Sequence, residues 1–187
     1  LDVLEFEAIR GMLAERTVSA IGFERAQSLM PGADLTVIQE RLQTVTEMRA
    51  LLDLDEVVPL RGIKDIRSAL ERAVIAGASL DPEVLLDVAS TLQVSRTMHA
   101  FGKRVHQQRS SPRIESLTAG LGDFQSIEKE IHQAIDTDCS IRDHASPALR
   151  RIRQAQQTMR DRTRNQLNRF IQSDTGSKAL QEPVMTM

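Results

Sequence analysis

The chain's single cysteine lies between two of its four histidines. Cys139 follows His132 by seven residues and precedes His144 by five. A cysteine nucleophile needs a base within hydrogen-bonding reach and an oxyanion hole, and no motif of that kind surrounds Cys139. A lone cysteine in an intracellular chain is usually inert. We therefore expect no catalytic residue in this chain.

The other histidines and the acidic clusters lack the spacing of a metal site. His99 and His106 are seven residues apart, which is roughly 10 Å along a helix axis and too far for one ion without further ligands. Acidic residues form two clusters in the sequence: one consists of Asp53, Asp55 and Glu56, and the other of Asp136, Asp138 and Asp143. Neither cluster has the glycine-containing spacing of a calcium loop. We predict no bound metal ion.

The sequence contains no known phosphate-binding loop. Such a loop needs G-x-x-x-x-G-K-[ST] after a strand, so that backbone amides and the lysine surround a phosphate. The nearest string, Gly-Ser-Lys at 176–178, lacks the upstream glycine. Leu-Asp-Leu-Asp at 52–55 matches a nuclease-type L-D-L-R motif in three positions but lacks the basic residue. We expect no cofactor in this chain.

Arginines are concentrated in a helix predicted over 147–172. They are Arg150, Arg151, Arg153, Arg160, Arg162, Arg164 and Arg169, and the helix interior has one acid, Asp161. Arginines at helical spacing can contact the phosphates of a nucleic acid. The alternative is a solvated helix whose charges contact only water or acidic neighbours. If the helix binds nucleic acid, the candidate residues are Arg150, Arg153, Arg160 and Arg164.

A narrow apolar seam runs along the same predicted helix. It consists of Leu149, Ile152, Met159, Leu167 and Phe170, with the polar Gln156 and Thr163 interleaved. Arg153, Arg160 and Arg164 lie on one flank of the seam, and Arg151, Arg162 and Arg169 lie on another face. Such a seam suits a helix that packs against one or two partners rather than a helix buried in a core.

The rest of the chain also has helical periodicity. A first helix is entered through residues 1–6, and further helices are predicted near 19–30, 35–52, 63–76, 82–108, 114–121 and 123–135. Ser19, Asp34 and Asp81 are predicted N-caps. Pro82 suits the first helical position after Asp81, and Ser146-Pro147 is predicted to open the longest helix. Residues 109–112 read as a loop, and 136–143 as a short hairpin. We predict an all-α fold, an irregular helical core with one long protruding lever helix and at most a short hairpin.

Composition and charge exclude several classes of protein. The 187 residues include five Phe and no Trp or Tyr, which argues against base-stacking modules. No apolar run approaches the roughly 20 residues of a membrane span, and no signal peptide opens the chain, so we expect a cytoplasmic protein. The net charge is −6 over residues 1–57, −1 over 58–144 and +5 over 145–187. An acidic body thus carries a basic tail.

Several segments match one known family in order and spacing. They are Leu4 to Phe6, Ile63 to Leu70, Gly77 with Leu80 to Leu86, Ala89 to Leu92, Ile131 to Ile152 and Ala179 to Thr186. On these segments the chain resembles the second, anti-recombination branch of the bacterial MutS superfamily (the MutSB family). It has Cys139 where relatives often have glycine after Asp-x-Asp, which leaves the turn type of the hairpin open.

The resemblance implies a fragment of a larger protein, with a core domain over 1–145 and an outgoing lever helix plus the start of a clamp-like segment over 146–187. Both ends look trimmed, because there is no initiator Met and residues 182–187 read as half a strand. By resemblance the parent is a homodimeric ATPase that uses ATP and Mg²⁺, binds branched or junction DNA and suppresses recombination. Many relatives also carry a nuclease-like domain.

Two further hypotheses remain open at the level of sequence. The same module could serve an ATPase that rescues stalled ribosomes, since ribosomes and DNA are both anionic polymers. Alternatively, the chain could be a stand-alone helical protein-interaction domain.

Overall fold

The computed structural model describes residues 5–173, which form eight helices and no strand. They are α1 (Phe6–Ala14), α2 (Ala20–Gln27), α3 (Leu35–Leu52), α4 (Arg67–Ala73), α5 (Pro82–Arg109), α6 (Pro112–Ala119), α7 (Gln125–Ala134) and α8 (Pro147–Ile171). The all-α prediction is confirmed. The chain divides into two compact units between Ser140 and Ile141. The domain boundary expected at 145/146 stays a prediction.

Side-chain caps start three of these helices where the sequence places them. Ser19 Oγ accepts a hydrogen bond from the Gly22 amide at 3.1 Å, and Asp34 Oδ1 accepts one from the Thr36 amide at 2.9 Å. Ser146 Oγ likewise accepts from a first-turn amide of α8 at 3.1 Å. Each cap satisfies a backbone donor that has no partner inside the helix, so these N-termini are locally encoded. Asp81 is the N-cap residue of α5, as predicted, but its side chain forms no capping hydrogen bond.

Helix α5 is the central element of the unit that ends at Ser140. It packs against α6 and α7, and α3 packs against α6. One apolar cluster consists of Leu51, Phe101, Val105 and Ile114, and a second of Ala89, Ile131 and Ile135. The two clusters lie on different halves of α5, so this one helix links both buried regions.

The contact between α5 and α6 depends on a glycine. A Cβ atom added to Gly102 would lie 1.7 Å from Thr118 Oγ1 and 2.8 Å from Thr118 Cβ. Thr118 cannot easily turn away, because its hydroxyl donates to the carbonyl oxygens of Ile114 and Glu115 at 3.0 and 3.1 Å. Gly102 therefore allows the two helices to approach closely.

Charged side chains reinforce the packing around α5. Arg96 on α5 forms two hydrogen bonds with the Glu128 carboxylate on α7, at 3.2 and 3.0 Å. Glu128 is buried, with 6% of its surface exposed. The Glu128 carboxylate raises the pKa of the Arg96 guanidinium. Two-point pairing of this kind compensates for removing the carboxylate from water.

Helices α4 and α6 differ from the sequence prediction in their bounds. The predicted start of α4 at residue 63 is wrong, because the residues before Arg67 bond to α5 instead: Thr91 Oγ1 accepts from the Lys64 amide at 3.0 Å. Helix α6 begins at Pro112 rather than near 114. Its first amides, those of Arg113 and Ile114, donate to Glu47 Oε2 at 2.8 and 3.1 Å, so a side chain of α3 caps α6.

The apolar stripe of α3 is only partly buried. Leu51 is 1% exposed, whereas Leu35, Leu42 and Val45 are 68%, 60% and 64% exposed. Residues 136–140 form a tight turn that is closed by the Asp136 amide donating to the carbonyl oxygen of Ser140 at 2.8 Å, within the stretch 136–143 where a short hairpin is predicted. Cys139 has a φ of 65° in this turn. That left-handed conformation is the one that glycine adopts without steric cost.

Some predictions fall outside the described residues. These concern the helix entry before residue 5, the Gly-Ser-Lys string at 176–178 and the strand at 182–187. Within residues 5–173, no helix combines the length and apolar character needed to cross a membrane.

Candidate nucleic-acid interface

Helix α8 positions all of the predicted nucleic-acid-binding residues. It has 25 residues, which gives a length of about 38 Å. Ser146 caps its N-terminus, and Pro147 takes the first helical position, where a missing amide hydrogen costs nothing. None of its residues is buried, so its side chains are accessible to a binding partner.

The four candidate arginines form a row on one side of α8. At about 100° per residue they fall within an arc of about 80°, and they span about 21 Å along the axis. The row consists of Arg150, Arg153, Arg160 and Arg164; we call it the arginine row. Its members repeat at helical spacing, so the structure brings together the set that the sequence selected.

Arg153 differs from the other members of the arginine row. Its Nη1 donates to the carbonyl oxygen of Ile141 at 3.0 Å and also bonds to the Asp143 carboxylate. The Arg153 side chain is 39% exposed. Arg150, Arg160 and Arg164 are exposed and form no ion pair within residues 5–173. Among the described residues, three of the four guanidinium groups thus form no ion pair that an external anion would have to displace.

A groove of about 650 Å³ lies along the N-terminal half of the arginine row. Its lining residues are Asp143, His144, Arg150, Arg153, Gln154, Gln156, Gln157 and Arg160. Guanidinium, imidazole and amide groups are all donors to phosphate oxygens. The sequence analysis missed Asp143, His144 and the glutamines as lining residues. Gln154 follows Arg150 by four residues and could have been placed beside it by helical spacing alone.

A second basic face lies on the other side of the helix. Arg151, Arg162 and Arg169 lie about 100–120° around the axis from Arg150, and all three are exposed. A polar strip separates the two basic faces: Thr158, Asp161 and Asn165 lie about 20–80° around the axis from Arg150. The two faces are therefore distinct, as the sequence indicates.

The apolar seam of α8 is exposed as well. Ile152, Met159 and Phe170 are 64%, 61% and 49% exposed. An exposed stripe of this kind is typical of a helix that packs against a partner helix.

Two of the four histidines, His99 and His106, contact helix α6. His99 Nδ1 lies 3.1 Å from the carbonyl oxygen of Thr118, and His106 Nε2 lies 3.3 Å from Glu115 Oε2. Both contacts join α5 to α6. Within residues 5–173, no three His, Cys, Asp or Glu side chains are grouped so that they could hold a metal ion.

Several known proteins that are similar to this chain in sequence carry the same name. A protein of Symbiobacterium thermophilum named endonuclease MutS2 is 38% identical over 187 residues, which is 100% of this chain and 23% of the relative. Endonuclease MutS2 of Alkaliphilus metalliredigens is 36% identical over 185 residues, 99% of this chain and 23% of the relative. That of Geobacillus sp. is 34% identical over 188 residues, 100% of this chain and 24% of the relative. No protein-family model matches the chain.

These similarities define the class of protein. The chain belongs to the MutS superfamily, in its second branch, and corresponds to the N-terminal part of the MutS2 proteins that it matches. It spans about a quarter of the length of these curated relatives.

Proposed function

We propose that this chain is the core and lever segment of a DNA-binding ATPase that binds branched DNA and suppresses homologous recombination. The arginine row of α8 contacts the phosphate backbone in this proposal. The observation that carries it is the alignment of Arg150, Arg160 and Arg164 on one exposed helix side without ion-pair partners within residues 5–173. Membership of the MutS superfamily supports DNA as the anion.

The dimensions of the row suit a nucleic-acid backbone. Phosphates of one DNA strand follow each other at about 3.4 Å along the duplex axis, so a row of about 21 Å lies alongside about six of them. Arginine binds phosphate with two parallel hydrogen bonds. Contacts of this type position a protein on the duplex without reading base sequence, as recognition of a branched structure requires.

The lever role is a mechanical one in this proposal. ATP and Mg²⁺ bind in a part of the protein outside residues 1–187, and closure of that part in a homodimer is transmitted along α8 to a DNA clamp. A regular helix of 25 residues suits this role, because its backbone hydrogen bonds resist bending over the whole length.

The test replaces Arg150, Arg160 and Arg164 together by Glu. We expect weaker binding of a fluorescent four-way junction and a salt slope (log K against log[salt]) reduced by about two to three units, since each lost phosphate contact removes about 0.9. Fluorescence anisotropy over a salt series measures both quantities. The matched control replaces Arg151, Arg162 and Arg169 by Glu, which makes the same charge change on the second basic face. Equal losses in the two triple variants would contradict the row as the contact surface.

The ribosome is the competing partner, because its RNA presents the same phosphates. Competition between junction DNA and purified ribosomes for the protein separates the two. Displacement of bound ribosomes only at a large excess of junction DNA would favour the rescue function. Failure to bind either polymer would leave a helical protein-interaction domain.

A further inference from the structure

We propose that Asp143 is an internal competitor for phosphate at Arg153, so that this member of the arginine row engages only when nucleic acid displaces the aspartate. This inference rests on the proposed function. It assigns to Asp143 a regulatory role at the same site and explains why one arginine of the row differs from the rest.

The first observation is the state of Arg153. Its guanidinium is satisfied internally by the Asp143 carboxylate and by the carbonyl oxygen of Ile141 at 3.0 Å. Arg150, Arg160 and Arg164 are exposed and form no ion pair within the described range 5–173. A carboxylate and a phosphate present similar oxygen pairs to a guanidinium, so Asp143 occupies Arg153 in the manner of a ligand.

The second observation is that Asp143 can be displaced. Its side chain is 78% exposed, and it precedes the cap residue Ser146, so it is not part of the helix that carries Arg153. Exposed ion pairs contribute little to stability and are screened by salt. A polyanion already bound by the other arginines therefore competes effectively for Arg153.

The third observation is the position of Asp143 in the groove. It lines the same groove as Arg150, Arg153 and Arg160. A carboxylate there repels an approaching phosphate as well as occupying Arg153. An isolated phosphate gains one contact and does not offset this cost, whereas a backbone with several phosphates does. Asp143 thus favours nucleic acid over small phosphate compounds.

The test is the variant Asp143→Asn, measured by anisotropy with the same junction over a salt series. We expect Kd to fall about three- to fivefold at low salt and the salt slope to increase by about 0.9, the value for one added phosphate contact. The matched control is Asp161→Asn, which removes the same charge from α8 beside Gln157 rather than Arg153. It is expected to leave the slope unchanged.

A double-mutant cycle makes the role of Arg153 explicit. In an Arg153→Gln background, Asp143→Asn is expected to change Kd no more than Asp161→Asn does. The inference is overturned if Asp143→Asn and Asp161→Asn have equal effects, or if the effect of Asp143→Asn persists without Arg153. In either case the row variant with three Glu substitutions still binds more weakly, and the proposed function stands. Absence of binding by the wild-type chain and every variant at low salt rejects both proposals.

Discussion

At the scale of single residues, Arg67 connects helix α4 to helix α2. Its Nη1 and Nη2 donate to the Glu24 carboxylate of α2 at 2.9 and 2.8 Å. Its Nε also donates to Asp65 Oδ1 at 2.8 Å, just before α4. The Arg67 side chain, together with the Arg67 amide, lowers the pKa of Asp65 to about 2. The pKa of Glu24 is lowered by the same guanidinium.

This arrangement predicts a pH dependence of stability. The folded-state pKa of Asp65 is depressed below its unfolded value of about 3.9, so its contribution is fully present above about pH 4 and is lost as the pH falls towards 2. In Asp65→Asn, we expect a lower free energy of unfolding than in the wild type at pH 6. The difference should shrink as the pH falls below about 4 and be mostly lost at about pH 2. Urea titrations followed by circular dichroism at several pH values measure it, and a constant difference down to pH 2 would contradict the assignment.

Residue-scale features were predictable from sequence where their causes are local. The caps at Ser19, Asp34 and Ser146 act within three residues of themselves, so the residue types suffice to place them. Glu47 caps α6 from 67 residues away. No local pattern contains that distance, which is why the start of α6 was misplaced. The pairing of Asp143 with Arg153 crosses a helix start and was missed for the same reason.

At the scale of helices, a single glycine determines how closely α5 and α6 approach each other. Gly102 lies inside α5, two turns before its C-terminal end, where helix propensity alone would favour alanine by about 1 kcal/mol. The Thr118 side chain occupies the space of the missing Cβ. The glycine therefore serves the packing of two helices rather than the stability of one.

We expect Gly102→Ala to destabilise the chain by about 1–3 kcal/mol, the usual cost of overpacking. Chemical denaturation measures the change. Gly11→Ala is the matched control, because a Cβ at Gly11 of α1 meets nothing within 4 Å; it should leave stability unchanged or raise it by up to about 1 kcal/mol. Adding Thr118→Ala to Gly102→Ala should restore part of the loss. Equal changes in stability for Gly102→Ala and Gly11→Ala would show that Thr118 of α6 does not contact α5 at Gly102.

The periodicity of the sequence predicts that the helices exist. It does not predict where each helix begins and ends, or which of its faces is buried. The stretch 63–66 has helical spacing, yet the amide and the carbonyl oxygen of Lys64 both form hydrogen bonds with the Thr91 hydroxyl of α5, and the stretch is not helical. On α3, Leu42 and Leu51 look equivalent in sequence, although one is 60% and the other 1% exposed. Tertiary contacts make these choices, and a single sequence does not contain them.

At the scale of the whole molecule, burial is unevenly divided between the two units. The unit ending at Ser140 contains both apolar clusters. In the other unit, α8 has no buried residue. An isolated helix depends on its own propensity and caps, which give marginal stability in water. The sequence anticipated the exposure of α8, because a narrow apolar seam beside seven arginines suits a helix that is not buried in a core.

This division predicts unequal amide protection. We expect hydrogen exchange in the middle of α8, near Arg160, to be at least tenfold faster than in α5 near Val105, because α8 opens without exposing buried apolar surface. Exchange measured by mass spectrometry on peptides from the two helices tests this. Protection of α8 equal to that of α5 would show that the helix is packed against a partner in solution.

The central position of α5 has a consequence for how the chain folds. The helices that pack on it, α6 and α7, directly follow it in the sequence. Bringing such near neighbours together closes only short loops, which costs little chain entropy and makes assembly fast. Residues 82–135 can thus form their contacts during translation, before α8 has been synthesised.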